Sequence, residues 1–217
     1  MGDSLVVEVK SNPLNRILAV LIVFVGLAIA IVGGLVVRSA FIAPQAPRTA
    51  AERDFTVAQA KVKQKPRDAE AHNDLGNAYF KMGNYESAVA EFKKAMSLNK
   101  LFLVAQFNLA MVYRAQQRND LAARELKALL KKYPGDDAAL FRLGEIYLEE
   151  RKYEEAAAAF RDAVKYNPID ADSRYYLALA YEKTGKKPAA IKEYKQVLRY
   201  IPDHKGARAA LSRLGKK

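Results

Sequence analysis

A self-similarity with a period of thirty-four residues limits this chain more than any other feature. Leu75-Gly76, Leu109-Ala110, Leu143-Gly144 and Leu177-Ala178 each follow the previous pair by that interval. Tyr79, Tyr113, Tyr147 and Tyr181 keep step, as do Ala88, Ala122, Ala156 and Ala190, then Phe92, Leu126, Phe160 and Tyr194. Pro66, Pro134, Pro168 and Pro202 share the phase, with Lys100 in the one vacant proline place. A fixed period of this length belongs to arrays in which each unit buries its apolar face only by stacking on a neighbour. The intervening pattern is helical throughout, with turns rich in Gly, Asn, Asp and Pro and no strand-like alternation.

The physical roles of the columns are readable. A small residue eight places into a unit lets two helices cross closely, and alanine at the twentieth place does the same for the second helix. The tyrosine and the later aromatic fill the gaps between helices, and the proline ends each unit. The segment "AEAHNDLGNAYFKMGNYESAVAEFKKAMSLN" and the units that begin at Leu103, Asp137 and Ala171 resemble tetratricopeptide (TPR) repeats. The resemblance implies an all-α fold, a right-handed superhelix (α-solenoid) of helix–turn–helix units with a concave groove. His72, Gln106, Leu140 and Arg174 stand where the family pattern prefers tryptophan. Four complete units are expected, at 69–102, 103–136, 137–170 and 171–204. Residues 50–68 read as a partial, capping repeat, and 205–217 as a capping helix and basic tail with Ala207, Ala210, Leu211 and Leu214 facing inward.

Ahead of the array, Ile17 to Val37 contains no charged or strongly polar side chain, with Arg16 and Arg38 at its edges. As a helix it rises about 31 Å, which matches the hydrocarbon core of a bilayer. A soluble helix needs one polar side, and the apolar run is longer than that of a cleaved signal. A single transmembrane helix is therefore expected at 17–37, after a short tail at 1–16 and before a proline-containing linker at 38–49. Gly26, Ala30 and Gly34 recur at four-residue spacing, and Ala19, Gly26 and Gly33 at seven, so homo-oligomerisation through the anchor is an open alternative. Lys10 and Arg16 on one side, against Arg38, Arg48 and Arg53 on the other, give a small margin for orientation. The usual arrangement of an amino-terminal anchor puts the array on the extracytoplasmic side of the plasma membrane.

The chemistry of enzymes is missing from the pattern. There is no cysteine, and the two histidines, His72 and His204, fall in different units. His72 occupies a packing place and His204 is expected in an exposed turn. No zinc-protease, phosphate-loop, nucleophile-elbow or calcium-loop motif occurs, so neither catalysis nor a metal or cofactor is expected.

Function is thus expected in the groove, which in this family is lined by the first helix of each unit. The fifth place gives Asn73, Phe107, Phe141 and Tyr175; the sixth, Asp74, Asn108, Arg142 and Tyr176. The ninth gives Asn77, Met111, Glu145 and Leu179, and the twelfth Phe80, Arg114, Leu148 and Glu182. The second, fifth, ninth and twelfth places share one helical face, with the sixth place beside it. Their aromatic and amide character suits an extended peptide or a docked helix of a protein partner. Family members that clamp a peptide's carboxyl terminus use five places. Asn77, Asn108 and Arg142 match them, whereas Asn73 and Ala138 stand where lysines would be.

The formal net charge is +12. It favours anionic partners, lipid headgroups among them, but no nucleic-acid motif accompanies it. The leading expectation is a membrane-anchored adaptor in a bacterial cell envelope. An envelope assembly component that self-associates through its anchor is the alternative, and a basic RNA-binding solenoid the weakest one.

Overall fold

The computed structural model describes residues 49–215. The expected anchor at 17–37, with Gly26, Ala30, Gly33 and Gly34, lies outside the described residues. Among the described residues no helix is long and apolar enough to cross a membrane.

Ten helices follow one another in this part of the chain: α1 (Ala50–Gln64), α2 (Ala69–Lys81), α3 (Tyr85–Leu98), α4 (Leu103–Ala115), α5 (Asn119–Lys132), α6 (Asp137–Glu149), α7 (Tyr153–Tyr166), α8 (Ala171–Lys183), α9 (Lys187–Tyr200) and α10 (Lys205–Gly215). Each helix packs on the next in chain order, and the first helices of adjacent units touch directly, α2 on α4 and α6 on α8. The four helix pairs α2/α3, α4/α5, α6/α7 and α8/α9 therefore form an all-helical stack. Helix α1 packs on α2 at one end, and α10 on α9 at the other.

Local chemistry sets where these helices begin. Thr49 and Glu52 form a reciprocal capping box at α1, and the side chains of Asp68, Asn84, Asp136 and Asp170 cap α2, α3, α6 and α8. Each satisfies amide groups that the first turn leaves without a partner.

The first helices all end in one way. The amides of Asn84, Arg118, Lys152 and Lys186 donate back to the carbonyls of Tyr79, Tyr113, Tyr147 and Tyr181 at 2.8–2.9 Å. The residue before each donor has positive φ: Gly83 (74°), Gln117 (60°), Arg151 (59°) and Gly185 (76°). This closure needs one left-handed residue, and only two of the four units supply glycine there.

Small residues and rings interlock between paired helices. A Cβ placed on Gly76 would lie 2.7 Å from the Phe92 ring, and one on Gly144 2.7 Å from the Phe160 ring. The other two units carry Ala110 and Ala178 at this place, with Leu126 and Tyr194 opposite, all buried.

A second link within units passes through the tryptophan place. His72 Nδ1 meets Glu91 at 2.6 Å and its Nε2 meets the Pro66 carbonyl at 3.1 Å. Gln106 donates to Glu125 at 3.3 Å. Arg174 donates to Glu193 at 2.9 Å and to the Pro168 carbonyl. His204, expected in an exposed turn, is instead half-buried. Its ring lies 4.7 Å from that of Tyr175, and its Nδ1 accepts the Ala207 amide at the start of α10. The turn is covered because α10 folds back over α8 and α9.

Candidate functional site

The first helices carry two adjoining recesses that the rest of the described chain leaves open. One, about 340 Å³, is lined by Phe107, Asp137, Ala138, Phe141, Arg142, Asn167, Asp170 and Asp172. The other, about 230 Å³, is lined by Leu103, Val104, Phe107, Asp136 and Ala138. Phe107 and Ala138 belong to both, so the two make one shallow channel across the starts of α4, α6 and α8. Val104 is 55 % exposed in it. A third recess, about 350 Å³, lies between α1 and α2 and includes Asn77, Asp74 and Lys61.

Aromatic packing holds the channel's floor. Phe141 meets Phe160 edge-on at 5.6 Å and Tyr176 edge-on at 5.5 Å, while Phe160 and Tyr176 stack at 5.6 Å. Phe160 is fully buried. A core ring therefore positions two rings of the face, each pair contributing about 0.5–1.5 kcal/mol beyond burial.

The other expected groove residues divide into distinct groups. Asn73 is buried, and its amide oxygen accepts from Asn108 at 2.9 Å, so the two asparagines bind each other across adjacent units. Phe80 packs on Tyr85, and Met111 is half-buried against the core of the first three units. Tyr175 lies under the capping helix, between Tyr194 and His204. It touches the end of the stack rather than the channel.

Glu145, expected as a specificity charge, is held from both sides. Arg114 reaches it at 2.6 Å and Arg142 at 2.8 Å, and Arg114 also meets Glu149 at 2.5 Å. Burial works against the Arg114 charge, but its bonds and attraction to Glu149 and Glu145 outweigh that and raise its pKa above the ordinary guanidinium value. Burial, then the Glu145 charge, raises the Tyr176 hydroxyl above its ordinary value. At the other end of the face Lys61 meets Asp74 at 2.6 Å and Lys81 meets Asp54 at 2.7 Å. The Asp74 hydrogen bond chiefly raises the Lys61 pKa.

Sequence reasoning missed the acidic members of the channel, Asp137 and Asp172. Their signal was present: carboxylates at the first and second places of two successive units, one turn from the aromatic fifth place. Among the described residues no group of His, Asp or Glu side chains is arranged to hold a metal ion.

Profiles described as tetratricopeptide repeat match residues 69–102, 107–163 and 146–207. No curated protein matches the chain. Among solved structures the fold is similar to that of YrrB, described as a TPR protein with an unusual peptide-binding site. Identity there is 22 %, with 74 % of this chain and 82 % of that one covered and a TM-score of 0.61. It is also similar to MamA from Desulfovibrio magneticus, at 21 % identity, 73 % and 89 % coverage and a TM-score of 0.63. A thermophilic TPR protein of Thermus thermophilus matches at 20 % identity, 75 % and 89 % coverage and a TM-score of 0.55. The repeat period, the stacked helix pairs and the profile matches over most of the described residues agree, and the chain belongs to the tetratricopeptide-repeat family.

Proposed function

We propose that this chain is a membrane-anchored adaptor in a bacterial envelope that holds an extended segment of a protein partner along the face of its first helices. The observation that carries the reading is the open channel lined by exposed Val104 and by half-buried Phe107 and Phe141, whose outer edges the recesses leave accessible. An exposed strip of this kind, rimmed by polar groups, is the usual form of a peptide-docking surface. The peptide-binding site named for YrrB supports the same use of the fold. Membrane attachment rests on the uncharged run from Ile17 to Val37. The usual arrangement of an amino-terminal anchor supports an array outside the cytoplasm, and self-association through Gly26, Ala30 and Gly34 would raise the local density of sites.

The test is copurification of the full-length chain from membranes, with bound proteins quantified by mass spectrometry for wild type and for Phe107→Ala combined with Phe141→Ala. Loss of a defined set of partners in the double variant is expected, and an unchanged set would remove the face from consideration. Protease protection in intact and permeabilised cells reads the side of the membrane directly.

A further inference from the structure

Resting on that reading of the face, we infer that the occupant is a cationic peptide segment, which sets a lysine or arginine between Asp137 and Asp172 and an aliphatic side chain on Val104 and Phe107. The reason is an imbalance of pairing. Elsewhere within the first helices the carboxylates have cations: Glu70 and Asp74 have Lys61, Glu145 and Glu149 have Arg114, and Glu182 has Arg213; on α1 Asp54 has Lys81, while Asp68, which caps α2, has none. In the channel the rule fails. Among the described residues Asp136, Asp137, Asp170 and Asp172 form no ion pair, on a chain with 36 lysines and arginines.

Two of these four are occupied by architecture. Asp136 caps α6 through the Ala139 amide, and Asp170 caps α8 through the Asp172 and Ser173 amides. Asp137 accepts only the neutral Asn167 amide, at 2.6 Å, and Asp172 is exposed. The one cation of the recess, Arg142, is committed to Glu145 at 2.8 Å. The channel therefore offers two carboxylates without an ion-pair partner beside the apolar side chains of its floor. That combination attracts an ammonium or guanidinium with an aliphatic side chain two places along the same peptide. It repels a terminal carboxylate or an acidic side chain, and Ala138 between the recesses supplies no counter-charge. Residues of an extended peptide alternate sides, so a cation and an aliphatic group two places apart would both reach down.

The experiment uses the full-length chain in mild detergent and four pools of fluorescein-labelled, amidated decapeptides. Each pool has degenerate Ala, Leu, Ser and Thr flanks and a fixed central Lys, Arg, Ala or Glu, and binding is read by fluorescence anisotropy. The Lys and Arg pools should bind roughly fivefold more tightly than the Ala pool, and the Glu pool more weakly than either. Asp137→Asn combined with Asp172→Asn should bring the Lys pool to the level of the Ala pool, with the Ala pool unchanged; both helix caps remain in that variant. A Glu pool that binds as well as the Lys pool, or a Lys preference that survives the double variant, overturns the inference. Loss of all pools with Phe107→Ala, without any charge preference in wild type, keeps the face and refutes the cation. Binding of every pool that is indifferent to Phe107→Ala refutes the face itself, and so does a lack of binding by all four pools.

Discussion

Gly144 and Phe160 make the most exposed test of how the array is packed. A methyl group at Gly144 would lie 2.7 Å from two atoms of the Phe160 ring and 2.9 Å from a third. The ring cannot simply rotate away, because Phe141 and Tyr176 hold it at 5.6 Å on two sides. Gly144→Ala thus carries an overpacking cost of about 1–3 kcal/mol, offset by roughly 0.8–1.0 kcal/mol from alanine's better helix propensity. A net loss of about 1 kcal/mol is expected. Phe160→Leu removes two aromatic contacts and leaves a small void, a loss of about 2 kcal/mol. The two changes together recreate the pairing of Ala110 with Leu126, both fully buried in the second unit. The leucine vacates the space that the new methyl needs, so the double variant should lose only about 1.5 kcal/mol instead of about 3. Urea unfolding followed by far-ultraviolet circular dichroism measures all four corners of the cycle. Thermal midpoints should follow at about 2–4 °C per kcal/mol. Additivity within about 0.5 kcal/mol would refute the interlock, since independent sites add and touching ones do not.

Other outcomes follow from single contacts. His72→Ala strips a buried link from Glu91 and the Pro66 carbonyl and should cost about 2–3 kcal/mol in the same urea assay; His72→Arg, which copies the Arg174 arrangement, should restore most of it. Arg151→Gly relieves a left-handed residue at φ 59° and should stabilise by about 0.5–1 kcal/mol, whereas Gly83→Ala at φ 74° should destabilise by about 1 kcal/mol. Burial, then the Glu182 charge and hydrogen bond, raises the Tyr194 hydroxyl above its ordinary 10.0. A group raised on folding contributes stability that is complete below its unfolded value and is lost as pH rises above it. Between about pH 9 and 11 wild type should therefore lose more stability than Tyr194→Phe, and parallel curves would contradict the assignment.

The period made most of the fold legible, because each column had one packing duty. Leu143, Gly144, Ala156 and Phe160 are buried as their places require. Other features have no strong composition signal. The left-handed place repeats at 83, 117, 151 and 185, yet Gln117 and Arg151 hide it from a search for glycine. The tryptophan place looked degenerate with His72, Gln106, Leu140 and Arg174. In space the variation is coupled: a polar donor has a glutamate nineteen residues on, at Glu91, Glu125 or Glu193, and apolar Leu140 has Ala159. A paired column would have revealed this where a single column could not. For the site, the aromatic places were legible and their partners were not. Asn73 sinks under Asn108 and Glu145 is claimed by two arginines, because adjacent first helices approach closely enough for their polar groups to satisfy one another.

The net charge illustrates why composition misdirects at a binding face. A value of +12 argues for anionic partners when spread evenly. The cations are not spread evenly: Lys93, Lys94, Lys127, Lys131, Lys192, Lys195 and Arg199 lie exposed on second helices, and Lys205, Arg208 and Arg213 on the capping helix. Screening confines their field to about 10 Å or less at physiological salt, so a ligand in the channel responds chiefly to Asp137 and Asp172. Both preferences can hold at once. The outer face can lie against an anionic surface such as a lipid headgroup layer while the channel selects a cationic segment. Added salt would weaken both, but Asp137→Asn with Asp172→Asn should change only peptide capture and leave liposome association intact. If that variant altered both together, the two faces would not be electrostatically independent, and the separation of roles along the two helices of each unit would fail.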